Sequence, residues 1–129
     1  MRYNAAVEPD PSLINLPHAA TVLGRLFHYL EFREEPTPVE QTQIGEILSE
    51  MEQLLNPYHT DPPADVAVAA AADVAGHGRR LVEEIVRARY RGDRLGQCVR
   101  NLFECLGLPE EGAALSLDCG ERPDSPLRP

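Results

Sequence analysis

Arginine is the only strongly basic side chain in this 129-residue chain: all twelve cationic residues are arginine and none is lysine. That excludes Schiff-base catalysis and a P-loop lysine on a β/γ-phosphate, because both need a primary amine. Ordinary kinase chemistry loses its phosphate-pairing lysine too. Tryptophan is absent, which removes the strongest stacking platform for bases or quaternary amines. Histidines stand at His18, His28, His59 and His77. His28 and Glu31 are three apart on one helix face, within reach of one metal ion. Di-iron bundles instead place Glu-x-x-His on each of two helices, and that order never occurs here. None of the serines Ser12, Ser49, Ser116 and Ser125 sits in a Gly-x-Ser-x-Gly elbow. Cys98 and Cys105 lie ~10 Å apart along one predicted helix, too far to bridge, and read as small core residues. Cys119 falls in a predicted loose tail and is expected as an exposed thiol. No catalytic residue, metal-ligand set or cofactor site is assigned from these spacings.

The remaining chemistry is charge. The chain carries a net charge of −9, unevenly placed. Residues 1–75 hold twelve acids against three arginines, and residues 101–129 hold six against two. Residues 76–100 reverse the sign, with seven arginines against three acids. An acidic whole is a poor non-specific binder of nucleic acid. The basic block nevertheless gathers Arg79, Arg80, Arg87, Arg91, Arg94 and Arg100 around a predicted helix–turn–helix unit. Gln97 and Asn101 share the outward face of its second helix. These eight residues are the candidate partner-binding set.

Two readings of that set compete. Over residues 84–101 the unit resembles, in part, a DNA-binding helix-turn-helix. Ala88 lies four residues before the turn glycine, Gly92, and the small apolar Cys98 lies six after it. The resemblance implies that Arg94, Gln97, Arg100 and Asn101 read guanine or adenine edges. Arg87, Asp93 and Asn101 depart from it, standing where the motif has apolar residues. The other reading is electrostatic self-complementarity, with these arginines facing glutamates of the second helix, in the same chain or across a dimer. Spacings such as Arg80 with Glu84 and Glu83 with Arg87 allow i,i+4 pairs worth only ~0.3–0.5 kcal/mol each. Stability alone does not call for the arginines, and arginine is enriched at protein interfaces.

The elements that must position these residues are helices. Apolar content of 43% and charged content of 26% are ordinary for a globular domain. Ala19, Val22, Leu23, Leu26, Phe27 and Leu30 recur at three and four and predict a helix over 17–34. Thr37-Pro38-Val39-Glu40 fits a capping box opening a second helix over 38–55, with Ile44, Ile47, Leu48, Met51, Leu54 and Leu55 as its stripe. Asp61 is the expected cap of a third helix over 62–91. Its phase runs through Gly76-His77-Gly78, which favours one long helix over two. Asp93 is expected to cap a fourth over 94–106, which closes on Gly107 in a Schellman-type ending.

The expected fold is therefore all-α, a bundle of about four helices over 17–108. An extended arm over 1–16 precedes it and a flexible, acidic, proline-rich tail over 109–129 follows, whose apolar Ala113-Ala114-Leu115-Ser116-Leu117 patch is able to dock on its own domain or on a partner. Seven alanines within residues 64–75 either pack inside the bundle or offer a second copy a flat face, so a homodimer is expected. No roughly 18-residue apolar run and no secretory-signal core appear, so a cytoplasmic protein without membrane contact is expected. The first functional reading is a non-enzymatic accessory subunit, adaptor or inhibitor that binds another protein through the arginine-rich face of its last two helices. The alternatives are a DNA-binding regulator and a metal-binding helical-bundle enzyme or carrier.

Overall fold

The computed structural model describes residues 8–31 and 38–122. Among them there are five α-helices and no strand: α1 (Leu16–Glu31), α2 (Pro38–Leu55), α3 (Ala64–Arg87), α4 (Asp93–Cys105) and α5 (Pro109–Asp118). The all-α expectation holds, but the helix count rises by one. Residues 109–118, expected as flexible tail, form α5. Proline at its first turn and acids at Glu110 and Glu111 suit a helix start.

α1 packs on α2 and α4, α2 on α3, and α4 on α5, while α3 touches α5 lightly and closes the ring. Phe103 sits at its centre, fully buried. A Cβ at Gly78 of α3 would lie 3.0 Å from the Phe103 ring and 3.6 Å from Met51 of α2. Gly78 is thus the notch that lets the ring in. It explains why α3 runs unbroken through Gly76-His77-Gly78: packing compensates for glycine's poor helix propensity.

The helix ends differ in detail from the sequence reading. Asn15 caps α1, its side-chain oxygen accepting the His18 N–H at 3.1 Å. Pro63, not Asp61, occupies the cap of α3. Gly92, not Asp93, occupies the cap of α4. The capping side chains expected at Thr37 and Glu40, and residues 32–34 of the expected first helix, lie outside the described residues. α4 does end as expected: the Gly107 and Leu108 N–H groups donate to the Glu104 and Phe103 carbonyls at 3.1 and 2.9 Å. α3 ends in the same way at Arg89, which takes φ 65°, so it stops at Arg87 rather than 91.

The arm is folded back rather than loose over its described part. The Asp10 N–H donates to the Gly107 carbonyl and the Asn15 N–H to the Cys105 carbonyl, both at 2.8 Å. Leu16 is fully buried, whereas Leu13 stays 46% exposed. Of the α1 stripe, Phe27 alone is exposed, at 40%. The alanine-rich face of α3 is used internally: Ala67, Ala70, Ala71 and Ala75 are buried. Among the described residues no helix is long and apolar enough to cross a membrane.

Candidate functional site

The eight candidate residues do not share one face. α5 and the turn after it divide them. Arg100 is held by Glu121, with Nη2 to Oε2 at 2.7 Å and Nε to Oε1 at 3.0 Å, and it reaches Glu104 at 3.4 Å. The side-chain hydrogen bond to Glu121 raises the Arg100 pKa, against the opposing effect of burial, and the nearby carboxylates add to it. The reciprocal bond lowers the Glu121 pKa. Arg79 makes a second clamp on α5, donating from Nη2 to Glu111 Oε1 at 2.8 Å and from Nε to Oε2. Arg80 faces Glu50 of α2 at 3.7 Å, and His77 meets the same carboxylate at 3.3 Å. One helix-three arginine, Arg80, thus does face a helix-two glutamate within one chain. Arg87 pairs with Glu84 at i,i+3 rather than with Glu83 at i,i+4.

What remains falls into two depressions. The first is an open groove of about 980 Å³ between α3 and α5. Its floor holds buried Val82 and half-buried Leu115. Beside them Val86 and Leu117 are 45% and 47% exposed. Arg79, Glu83 and Arg87 line the α3 side, with Arg91 beyond, and Glu111 and Asp118 line the α5 side. The sequence reading named the arginines of this groove and the apolar Ala113–Leu117 patch as a docking segment, but neither Val82 and Val86 as its floor nor the helix that presents the patch.

The second depression is a polar crevice of about 390 Å³ between α1 and α4. α4 contributes Asp93, Arg94, Gln97, Cys98 and Asn101, and α1 contributes Arg25 and Tyr29. Arg25 and Tyr29 escaped the sequence reading, although their i,i+4 spacing on the polar side of α1 was visible. Asp93 Oδ2 accepts from Gln97 at 3.1 Å and Oδ1 from the Arg122 N–H at 3.0 Å.

All three cysteines are buried. Cys119, expected as an exposed thiol, is fully enclosed, and burial pushes its pKa up to about 12. Burial also raises Cys98, with the Arg25 charge working against it, and raises Cys105, with Glu104 adding to it. A thiol so held is protonated at neutral pH and is a poor nucleophile. Among the described residues no three of His, Cys, Asp and Glu gather closely enough to hold a metal ion. His28 instead meets the Tyr29 ring edge-on at 6.1 Å.

No protein family, curated protein or solved structure gives a significant match to this chain.

Proposed function

We propose that the chain is a helical interaction module that holds an amphipathic helix of another protein in the α3–α5 groove. The observation that carries this reading is the placing of Val86 and Leu117, each nearly half exposed, along one open groove. Leu13, Phe27 and Val66, the other large apolar side chains exposed among the described residues, line no part of it. Two helices with an apolar floor between them suit a third helix laid along the groove.

Three arginines and one glutamate line the α3 side and its extension, and two carboxylates line the α5 side. Arg79 is clamped to Glu111 across the groove and Arg87 is paired with Glu84, so those charges are already matched within the chain. The rim is of mixed sign, and the partner helix carries polar flanks on either side of its apolar face. This keeps Arg79, Arg87 and Arg91 from the arginine-rich face as lining residues. Arg80 and Arg100 pair away from the groove, and Arg94, Gln97 and Asn101 belong to the other crevice. The DNA-binding alternative has less support, because those last three residues line a crevice walled by α1 rather than a projecting face.

The test is site-specific photocrosslinking of the full chain in its native cell, from positions 86 and 117, with position 49 as an exposed control. Both groove positions are expected to crosslink the same protein, through a peptide with apolar residues at helical spacing between polar flanks. Val86→Glu and Leu117→Glu should lose that partner with an unchanged melting temperature. Labelling no stronger than at position 49 sinks the proposal. Recovery of a second copy of the chain at both positions reassigns the groove to self-association.

A further inference from the structure

Arg25 and Arg94 stand apart from the arginines that hold the bundle together. Neither forms an ion pair with any carboxylate among the described residues, in a chain where acids outnumber arginines twenty-one to twelve. Both are exposed, one on α1 and one on α4, and both line the same crevice. Arg89 and Arg122 also lack a carboxylate partner, but neither lines a depression described above. The one acid in the crevice, Asp93, points its two oxygens at the Gln97 amide and the Arg122 N–H and pairs with neither arginine.

We propose that the α1–α4 crevice binds a small phosphate monoester, with Arg25 and Arg94 as opposed cationic jaws. A phosphate monoester carries about two negative charges near neutral pH. The two guanidinium groups outweigh the single carboxylate of Asp93, leave the crevice cationic, and fit the bidentate geometry of the phosphate oxygens. Tyr29 is half-buried beside Arg25, so its ring offers a flat apolar wall for the body of the ligand. The Asn101 amide supplies a neutral donor and acceptor for a hydroxyl or ring nitrogen. A volume of about 390 Å³ suits a small organic molecule. A nucleic-acid strand fits less well, because the surrounding −9 chain repels a long polyanion.

This site is independent of the α3–α5 groove, and the two fail separately. The probe is phenyl phosphate, titrated into the isotopically labelled full chain while the Arg Nε–Hε and backbone amide resonances are followed. The Arg25 and Arg94 signals are expected to move together and saturate in the millimolar range or below. Arg25→Gln and Arg94→Gln should each weaken binding about tenfold or more, with an unchanged melting temperature. Arg89→Gln should leave it intact. Phenyl sulfate, a monoanion, should bind more weakly. Equal loss in Arg89→Gln, equal binding of the sulfate, or no saturating shift overturns the proposal. Binding of a DNA duplex through the same resonances, tighter than phenyl phosphate and steeply salt-dependent, also overturns it and restores the DNA reading.

Discussion

Arg100 of α4 grips Glu121, three residues past α5, with two nitrogens on two oxygens at 2.7 and 3.0 Å. The pair is deliberate in chain terms. Gly120 takes φ 100° and the Glu121 N–H returns to the Ser116 carbonyl at 2.9 Å, which turns the carboxylate back onto α4. The Glu121 side chain is only 11% exposed.

That contact makes the bundle acid-sensitive. The Glu121 pKa is lowered in the folded chain, so its contribution is full above the unfolded glutamate value of about 4.3. The contribution is lost as pH falls through the folded value. Glu121→Gln should cost about 1–3 kcal/mol at neutral pH and flatten the loss of stability below pH ~4. Urea melts across pH check both. A double-mutant cycle with Arg100→Gln should return a coupling of about 1 kcal/mol or more. Additive costs would contradict the pairing.

Two nearby glycines of α3 should respond with opposite signs. A Cβ at Gly76 meets nothing within 4 Å, so Gly76→Ala gains helix propensity and should stabilise by about 0.5–1 kcal/mol. A Cβ at Gly78 meets the buried Phe103 ring at 3.0 Å, so Gly78→Ala should destabilise by about 1–3 kcal/mol. Thermal melts of the two variants, side by side, decide the matter.

The legible part of this fold was the part built from large apolar side chains at helical spacing. Val22, Leu23 and Leu26 announced α1, and Leu95, Val99, Leu102 and Leu106 announced α4; all are buried. α5 escaped because the residues it buries completely are Gly112 and Ser116, which leave no apolar stripe. It docks by backbone approach instead of side-chain bulk. Its proline and two acids were readable as a helix start, yet acidity and proline also read as disorder. Of the site, the arginines were visible by type, but their division was not. Glu111 and Glu121 lie 32 and 21 residues from Arg79 and Arg100, so only the fold brings those charges together.

Cys119 gives the bundle an alkaline limit. An unfolded thiol ionises near pH ~8.5, whereas burial holds the folded one protonated to about 12. Stability is therefore full below the unfolded value and falls as pH rises above it, by up to ~1.4 kcal/mol per pH unit. Cys119→Ala should reduce that slope, leaving the smaller part that buried Cys98 and Cys105 contribute. In the native chain at neutral pH, iodoacetamide should label Cys119 only at the rate of unfolding; rapid labelling would show an open thiol.

The α4–α5 contact leaves no room for a methyl group. A Cβ at Gly112 would fall 2.8 Å from Phe103 Cβ and 3.0 Å from the Arg100 carbonyl. Gly112→Ala should push α5 off α4, at a cost of about 1–3 kcal/mol by chemical denaturation. It should also weaken partner capture, because α5 is one wall of the groove.

The groove and both arginine clamps depend on α5 being a fixed part of the bundle. Native-state hydrogen exchange of the α5 amides measures this directly. The prediction is that the Ser116 and Cys119 amides open only with α4, at the free energy of global unfolding. Exchange of those amides at unstructured rates, while residues 95–105 stay protected, would contradict it.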